Sequence, residues 1–168
     1  MIDDLRNSLL VIVKLLEKHE VSYMIIGGTA VALNGYYRHS INLAGELTDK
    51  PDIDVWYNPS YENYYKILKV IEELGVDISE FQNEIEPKPL ESFFRFDLDN
   101  FSIDFLPVIK ANIKFSDANK RKEIVYLKDV PVYFISFIDL LEDKLAANRK
   151  KDLDDIEKLK EIRNRKNG

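Results

Sequence analysis

The sequence predicts an α+β fold, in which a mixed β-sheet is covered by helices and followed by two C-terminal helices. Three observations predict it: apolar residues at helical spacing, two alternating runs joined by a two-residue turn, and short apolar strands bounded by glycine or proline. The chain has 168 residues, 45% of them hydrophobic, which is enough for one sizeable core. We expect one domain over 1–168, with a core over about 21–135 and a helical segment over about 136–166.

The composition narrows the class of protein. A net charge of −6 gives the surface as a whole no attraction for nucleic acid. The absence of cysteine excludes a disulfide framework, a thiolate metal site and a thiol nucleophile. The apolar runs are too short to cross a bilayer, and the first residues do not resemble a basic leader. We therefore expect no membrane contact and a cytoplasmic location.

The first part of the chain alternates helical and strand patterns. Asp3–His19 carries apolar residues at helical spacing, and Val21–Ile26 is a short apolar strand. Gly27-Gly28 ends this strand, and Thr29–Leu33 opens a helix directly after it. The polar segment Gly35–Pro51 predicts a loop.

A second strand and a long helix follow. The alternation in Asp52–Tyr57 predicts the strand. Asn58 is a good N-cap residue and Pro59 suits a first helical position, so the next helix is predicted to start there. It runs to about Leu74, where Gly75 stops it.

The run FFRFDLDNFSIDFLP predicts a β-hairpin with Asp99-Asn100 as its turn. Its apolar residues then share one face, and its polar residues share the other. The predicted register pairs Phe94 with Phe105, Phe96 with Ile103, Leu98 with Phe101, Asp97 with Ser102 and Arg95 with Asp104.

The last part of the chain predicts two strands and then two helices. The strands are Glu123–Leu127 and Val130–Ile135, and Ser136 is placed to cap the first helix. The helices are predicted over Phe137–Ala147 and Asp152–Arg165. Basic residues outnumber acidic ones near the end of the chain, which is typical of a solvated helix face or of a contact with a phosphate-bearing partner.

Three aspartates lie on predicted strands whose neighbours are apolar. Asp52 and Asp54 are two residues apart, so their side chains share the face opposite the core, and Asp104 occupies the same kind of position on its own strand. Carboxylates this close repel each other unless a proton or a cation lies between them. Such a cluster suits hard divalent cations, and two of them about 3.5–4 Å apart can catalyse phosphoryl or nucleotidyl displacement.

A glycine turn precedes these aspartates. Gly27 and Gly28 lie where a strand meets a helix, a place where backbone N–H groups bind phosphate and glycine permits close approach. Thr29 adds a hydroxyl that can donate to a ligand.

These motifs together resemble the nucleotidyltransferase fold of the DNA polymerase beta superfamily, and more closely its small bacterial members of the AbiEii toxin type. The matching segments cover nearly the whole chain: GGTAVALNGYYR, PDIDV, SIDFL and SFIDLLEDKLAANRKKDLDDI. The loop between Arg38 and Asp52 is longer than in the compact form of the family. Its extra residues, INLAGELTDK, are interpreted as a lid, an acceptor contact or a tolerated insertion.

The resemblance implies a nucleotidyltransferase-like mixed sheet and a set of roles. Asp52, Asp54 and Asp104 would be catalytic and would bind two Mg²⁺ ions. The residues that would bind the nucleoside triphosphate (NTP), such as ATP, are Gly27, Gly28, Thr29, Arg38 and Lys144. The reaction would move a nucleoside monophosphate to an acceptor hydroxyl and release pyrophosphate.

The acceptor stays open at this point. A tRNA end, a protein hydroxyl and a small hydroxylated molecule are all candidates, and the resemblance also suggests the toxin of a toxin–antitoxin pair with an antitoxin partner. A second hypothesis is a non-catalytic module that keeps the fold to bind a nucleotide or a partner.

Each candidate residue also has a structural interpretation. Asp52 and Asp54 are interpretable as solvated aspartates at a strand end, and Asp104 as the partner of Arg95 in a cross-strand ion pair. The glycines can form a turn without a ligand, Thr29 can cap its helix, and Lys144 can be solvated. For Asp152, which the resemblance also matches, capping of the last helix or pairing with Lys151 or Arg149 is favoured over catalysis.

Overall fold

A computed structural model describes residues 2–41 and 46–168. Its central feature is a six-stranded sheet with the strand order β5-β6-β4-β1-β8-β7. The strands are β1 Tyr23–Ile26, β2 Ser40–Ile41, β3 Leu47–Thr48, β4 Asp52–Tyr57, β5 Phe94–Asp97, β6 Ser102–Leu106, β7 Glu123–Leu127 and β8 Val130–Phe134. The α-helices are α1 Ile2–Lys18, α2 Gly27–Leu33, α3 Tyr61–Glu73, α4 Ser79–Gln82, α5 Phe115–Asn119, α6 Phe137–Ala147 and α7 Lys150–Asn167.

The sheet is mixed, as predicted. Strand β4 runs antiparallel to β1 and parallel to β6, while β1 runs parallel to β8. The hairpins β5–β6 and β7–β8 are antiparallel and form the two edges. The predicted α+β class, with two helices after the last strand, is therefore confirmed.

The sheet separates two apolar clusters because its side chains alternate between faces. Ile53 and Val55 of β4 belong to the larger cluster, which includes side chains of α1 and α3. Trp56 points to the opposite face and packs in the smaller cluster with residues of α2, α6 and α7. The face of β4 that carries Asp52 and Asp54 is thus covered by the C-terminal helices at one end and left open at the other.

The register of the β5–β6 hairpin is the predicted one. Phe94 lies opposite Phe105, Phe96 opposite Ile103 and Arg95 opposite Asp104. The N–H of Leu98 donates to the carbonyl oxygen of Phe101 at 3.0 Å, which closes the two-residue turn.

The start of α3 differs from the prediction. Ser60, rather than Asn58, is the N-cap, and its hydroxyl accepts a hydrogen bond from the N–H of Asn63 at 3.2 Å. The N–H of Asn58 instead donates to the carbonyl of Ser22, which continues the pairing between β1 and β4 for one more residue. The helix is delayed because this sheet contact holds Asn58 in place.

Other boundaries also differ: β1 begins at Tyr23 rather than Val21, and α2 begins at Gly27 rather than Thr29. The segment 35–51, predicted as a loop, contains the short antiparallel pair β2–β3. The proposed lid over 41–50 lies in part outside the described residues. Helix α7 begins at Lys150 instead of Asp152, because Arg149 is its N-cap and the Asp152 carboxylate accepts from the Arg149 N–H at 3.2 Å.

Among the described residues, no helix is long and apolar enough to cross a membrane.

Candidate active site

A single row of residues crosses four strands on the open face of the sheet. Ile26 at the end of β1 lies opposite Asp54 of β4, Asp54 lies beside Asp104 of β6, and Asp104 lies opposite Arg95 of β5. Asp52 is two residues before Asp54 on the same face. The antiparallel and parallel pairings of β4 therefore bring together three carboxylates that are far apart in the sequence.

The three carboxylates form a compact oxygen site. One oxygen from each of Asp52, Asp54 and Asp104 lies within 4.8 Å of the others. No described residue donates a hydrogen bond to the side chain of Asp52 or Asp54. Burial, together with the charges of Asp52 and Asp104, raises the pKa of Asp54 to about 7. Burial and the charge of Asp104 also raise the pKa of Asp52. The cluster therefore has an excess of negative charge, and a bound cation would neutralise it.

Arg95 partly neutralises the third carboxylate. Its Nε donates to Asp104 Oδ1 at 2.8 Å and its Nη2 donates to Asp104 Oδ2. Asp104 is 3% exposed, whereas the side chain of Arg95 is mostly exposed. The pair predicted as a structural alternative is therefore present. A carboxylate offers about four lone-pair sites, so Asp104 keeps capacity for a further ligand.

Gly27 fits closely against the carboxylates. It has a φ of +63°, and a Cβ built at this position would lie 2.1 Å from Oδ2 of Asp54. Gly28 has ordinary space, because its Cβ would lie 3.5 Å from Nη2 of Arg38. Only the first glycine of the pair is thus required by backbone conformation and by contact.

We expect Gly27→Ala to lower the free energy of unfolding by about 2 kcal/mol or more, because the new methyl group must displace Asp54 and adopt a left-handed backbone. Gly28→Ala should change stability by less than about 1 kcal/mol. Urea denaturation of both variants checks this difference. Equal stability of the two variants would contradict the close packing of Gly27 on Asp54.

Thr29 lies behind the carboxylates. It is 2% exposed, and its hydroxyl donates to the main-chain oxygen of Asp52 at 3.3 Å. It does not cap α2, whose N-cap is Ile26. The contact ties α2 to the start of β4, and the binding of a ligand by Thr29 stays a prediction.

Arg38 and Lys144 meet in a buried ionic network built on α7. Arg38 donates to both carboxylate oxygens of Asp155, with Nε at 2.8 Å from Oδ1 and Nη2 at 3.1 Å from Oδ2. The Nζ of Lys144 lies 2.9 Å from Asp155 Oδ2 and 3.1 Å from Asp152 Oδ1. Both aspartates are fully buried. Buried charges are stable only when paired in this way.

Asp152 is the second anion of the network. Arg149 Nε lies 2.6 Å from its Oδ2, which confirms the predicted pairing with Arg149 and adds Lys144 as a partner. Burial acts to raise the pKa of Asp152, but the hydrogen bonds from Arg149 and Lys144 prevail and lower it to about 2. Asp152 is therefore a permanent anion that holds two cations in place.

Lys151 is a cation beside this network that lacks an ion-pair partner among the described residues. It is half-buried and forms no ion pair with any residue in the described ranges. Burial, followed by the charges of Arg149, Arg38 and Lys144, lowers its pKa. An ammonium group among other cations favours an anionic ligand.

Most of these groups line one cleft of about 580 Å³, and Thr29 and Asp155 lie outside its lining. This volume is typical of small-ligand sites. Of the predicted site residues, Gly27, Gly28, Arg38, Asp52, Asp54, Asp104 and Lys144 line the cleft, and Thr29 does not. Two further residues lie at or beside the site and were not among the predicted site residues: Lys151, which belongs to the matched tail segment, and Asp155. One signal could have identified Asp155. It lies three residues after Asp152 on a helix that also carries apolar residues, and this spacing places Asp152 and Asp155 on the same, buried face.

The fold, but not the sequence, is similar to that of known proteins. No family model and no curated protein matches the chain. The lincomycin-bound crystal structure of the lincosamide antibiotic adenylyltransferase LnuA matches with a TM-score of 0.60 and 20% identity, over 93% of this chain and 96% of that one.

Two further structures match in the same way. The solution structure of the antibiotic-resistance factor ANT(2'')-Ia has a TM-score of 0.54 and 16% identity, covering 93% of this chain and 88% of that one. An antigenic nucleotidyltransferase-like protein from Paracoccidioides brasiliensis has a TM-score of 0.52 and 14% identity, covering 94% of this chain and 75% of that one. The chain therefore has the fold of these proteins.

Proposed function

We propose that the protein is a Mg²⁺-dependent nucleotidyltransferase, which moves a nucleoside monophosphate from an NTP to an acceptor hydroxyl and releases pyrophosphate. The observation that carries this proposal is the meeting of three carboxylates within 4.8 Å in a cleft that also contains an unpaired lysine. Anionic and cationic groups side by side suit a metal-bound polyphosphate, and the fold supports the same class of reaction.

The residues present fit a divalent cation. All three donors are carboxylate oxygens, the ligands that Mg²⁺ prefers, and Asp52 and Asp54 have no described counter-ion. We propose that Asp52, Asp54 and Asp104 hold two Mg²⁺ ions. When bound, these ions supply positive charge to the oxygens around the α-phosphorus.

The triphosphate would lie on the side of the cleft formed by α2 and α7. Gly28 offers a backbone N–H beside the carboxylates, and Lys151 offers a free ammonium group. Arg149 lines the same wall with an exposed side chain. Arg38 and Lys144 are already paired, so their direct contact with phosphate stays a prediction, and their present contacts position Asp155 and Asp152.

In this reaction the acceptor oxygen bonds to the α-phosphorus while the bond to the β-phosphate oxygen breaks. Pyrophosphate leaves toward the cationic side chains of the α7 side, and the acceptor hydroxyl gives its proton to a carboxylate. We propose Asp104 for this role, which is supported by the contact with Arg95 that fixes its orientation while leaving lone pairs free.

The names of two fold neighbours refer to small molecules: LnuA is a lincosamide adenylyltransferase with lincomycin bound, and ANT(2'')-Ia is an antibiotic-resistance factor. They favour a small hydroxylated acceptor over a tRNA end or a protein. A toxin role with an antitoxin partner stays a prediction from the sequence resemblance.

Substitution of Lys151 tests the nucleotide site. We expect Lys151→Met to raise the KM for Mg-NTP about tenfold or more, because an ammonium–phosphate contact is lost from a partly buried site. Lys150→Met is the matched control, since Lys150 is exposed, and it should leave KM unchanged. Transfer of label from α-³²P-labelled NTP to acceptor pools, with and without EDTA, measures the activity.

The transfer and binding assays together distinguish the enzyme from the non-catalytic module. Label transfer that stops on addition of EDTA supports the enzyme. Saturable Mg-NTP binding in a thermal-shift assay, without transfer to any pool, supports instead the non-catalytic module. The absence of both binding and transfer excludes both functions.

A further inference from the structure

Three large apolar side chains are exposed in the same cleft. Leu90 is 62% exposed, Phe93 49% and Val108 54%, and all three line the cleft beside the carboxylates. We call them the apolar shelf. Large apolar groups gathered in a concave site mark a surface that binds a ligand.

The backbone under the shelf is fixed by strand β4. The hydroxyl of Tyr57, a fully buried residue, lies 3.0 Å from the carbonyl oxygen of Pro89 and also contacts that of Ser92. The indole N–H of Trp56 donates to the carbonyl of Pro107 at 3.2 Å. The strand that carries Asp52 and Asp54 therefore also holds both sides of the shelf, which keeps it in register with the reacting centre.

Two of the three shelf residues, Leu90 and Phe93, lie on the β5 side of the carboxylates, whereas Val108 follows β6 in a segment that also contacts Asp143 of α6. Phe93 immediately precedes β5, and its ring lies 5.5 Å from the guanidinium carbon of Arg95, which holds Asp104. The phosphate-binding cations lie on the α7 side. In a displacement at phosphorus the entering and leaving oxygens are roughly in line. If pyrophosphate leaves toward α7, the acceptor enters from the shelf.

The charges around the shelf do not suit a polyanion. Arg95 is held by Asp104, and the exposed Lys88 lies 3.7 Å from Glu91 on the shelf segment. Among the described residues that line the facing segment 106–110, Lys110 is the one cation. A polynucleotide needs several phosphate contacts, and a single lysine cannot provide them.

We propose that the apolar shelf selects the acceptor, which is an uncharged or cationic small molecule with an apolar face next to its hydroxyl group. This inference rests on the proposed function. Leu90 and Phe93 contact the apolar face, and the Lys88–Glu91 pair leaves the shelf segment without an excess cation for an anionic acceptor. The hydroxyl then lies toward Asp104.

A matched pair of small-molecule probes tests which acceptor charge the cleft accepts and whether the apolar shelf binds the acceptor. 4-Nitrophenyl β-D-glucoside is neutral, with an aryl face and hydroxyl groups, and the corresponding glucuronide adds one carboxylate. Saturation-transfer NMR measures their binding to the full chain, alone and with Mg²⁺ and α,β-methylene ATP, which cannot transfer its nucleotide. A short RNA with a free 3′-hydroxyl is the polyanionic comparison.

We expect the glucoside to bind the wild type with millimolar affinity and more tightly than the glucuronide or the RNA. The double variant Leu90→Ser/Phe93→Ser should weaken it about fivefold or more, since most of the apolar contact is lost. Ile85→Ser is the control, because Ile85 is 96% exposed and lies outside the cleft. It should bind like the wild type.

Any of the following outcomes would overturn the proposal: no glucoside binding, equal binding by the double variant and the wild type, or binding of the glucuronide or the RNA that is as tight as that of the glucoside or tighter. Competition between glucoside and nucleotide would also overturn it, because the shelf would then hold the base. Glucoside binding to the protein alone requires neither Mg²⁺ nor nucleotide. A failure of the proposed function, seen as absent Mg-NTP binding, is therefore distinguishable from a failure of the shelf.

Discussion

Asp54→Asn is expected to abolish nucleotidyl transfer and to make the cation-free protein more stable. Transfer should fall by at least about 10³-fold, because a carboxylate that binds the metal is lost at the reacting centre. Stability should rise because Asp54 is crowded by Asp52 and Asp104, without a described counter-ion. A neutral amide of the same shape removes that repulsion.

The gain in stability should depend on pH in a defined direction. The pKa of Asp54 rises from 3.8 to about 7 on folding, so its carboxylate destabilises the fold progressively as the pH rises from about 4 to about 7. The variant lacks this effect. The difference in unfolding free energy should therefore be near zero at about pH 4 and reach about 2–4 kcal/mol above about pH 7.

Urea denaturation across this pH range, in the presence of EDTA, measures the difference. Mg²⁺ should then stabilise the wild type and have little effect on the variant. Asp99→Asn, at the exposed hairpin turn, is the control and should show neither change. A variant that is less stable than the wild type at high pH, or that retains transfer, would falsify the assignment of Asp54.

Asp155→Asn, in the buried ionic network beside the cleft, should have the largest effect on stability of the single changes considered. Arg38 and Lys144 both lose their shared anion, and the Lys144 ammonium is almost fully buried. Removing one partner of a buried ionic group costs about 3–5 kcal/mol, because the remaining charge is left uncompensated. Asp154→Asn is the control on the exposed face of the same helix and should change stability by less than about 0.5 kcal/mol.

A double variant separates charge from packing. In the Asp155→Asn protein Arg38 is left without its anion, whereas Lys144 keeps its ion pair with Asp152. Lys144→Met in that background lowers the excess of positive charge in the network, so part of the lost stability should return. Thermal and urea unfolding of the single and double variants give the coupling energy. An Asp155→Asn protein as stable as the Asp154→Asn protein would show that the network contributes nothing to the fold.

Local patterns predicted much of the sheet. The register of the β5–β6 hairpin follows from alternation and a two-residue turn, so its Arg95–Asp104 pair was accessible from the sequence. The common face of Asp52 and Asp54 follows from the period of a strand. The parallel pairing of β4 with β6 brings in Asp104, and only the likeness to a known fold predicted it.

Contacts that are distant in sequence were beyond local reasoning. Arg38 and Asp155 are 117 positions apart, and no pattern at either residue specifies the other. Lys150 is exposed and Lys151 is half-buried, and this difference depends on the residue at which α7 begins. The helix begins two residues earlier than predicted because Arg149 is its N-cap, so the different exposure of the two lysines could not be predicted.

The site divides its charges between two parts of the chain. The carboxylates are on β4 and β6, whereas Lys144, Arg149 and Lys151 are on or beside the last two helices. Around the cleft, the strands carry an excess of negative charge and the last two helices carry an excess of positive charge. A bound metal would neutralise the first and a bound phosphate the second, so the two parts need not neutralise each other.

The link between Arg38 and Asp155 also bears on the synthesis of the protein. A ribosome makes the sheet and its three aspartates before α6 and α7, so a nascent chain that ends before Lys144 has the acidic part of the cleft without the cations of the last two helices. A chain that ends between Lys151 and Asp155 has those cations but leaves Arg38 without its anion. Under the proposed function, both chains would lack part of the site, and nucleotide binding would require translation through Asp155.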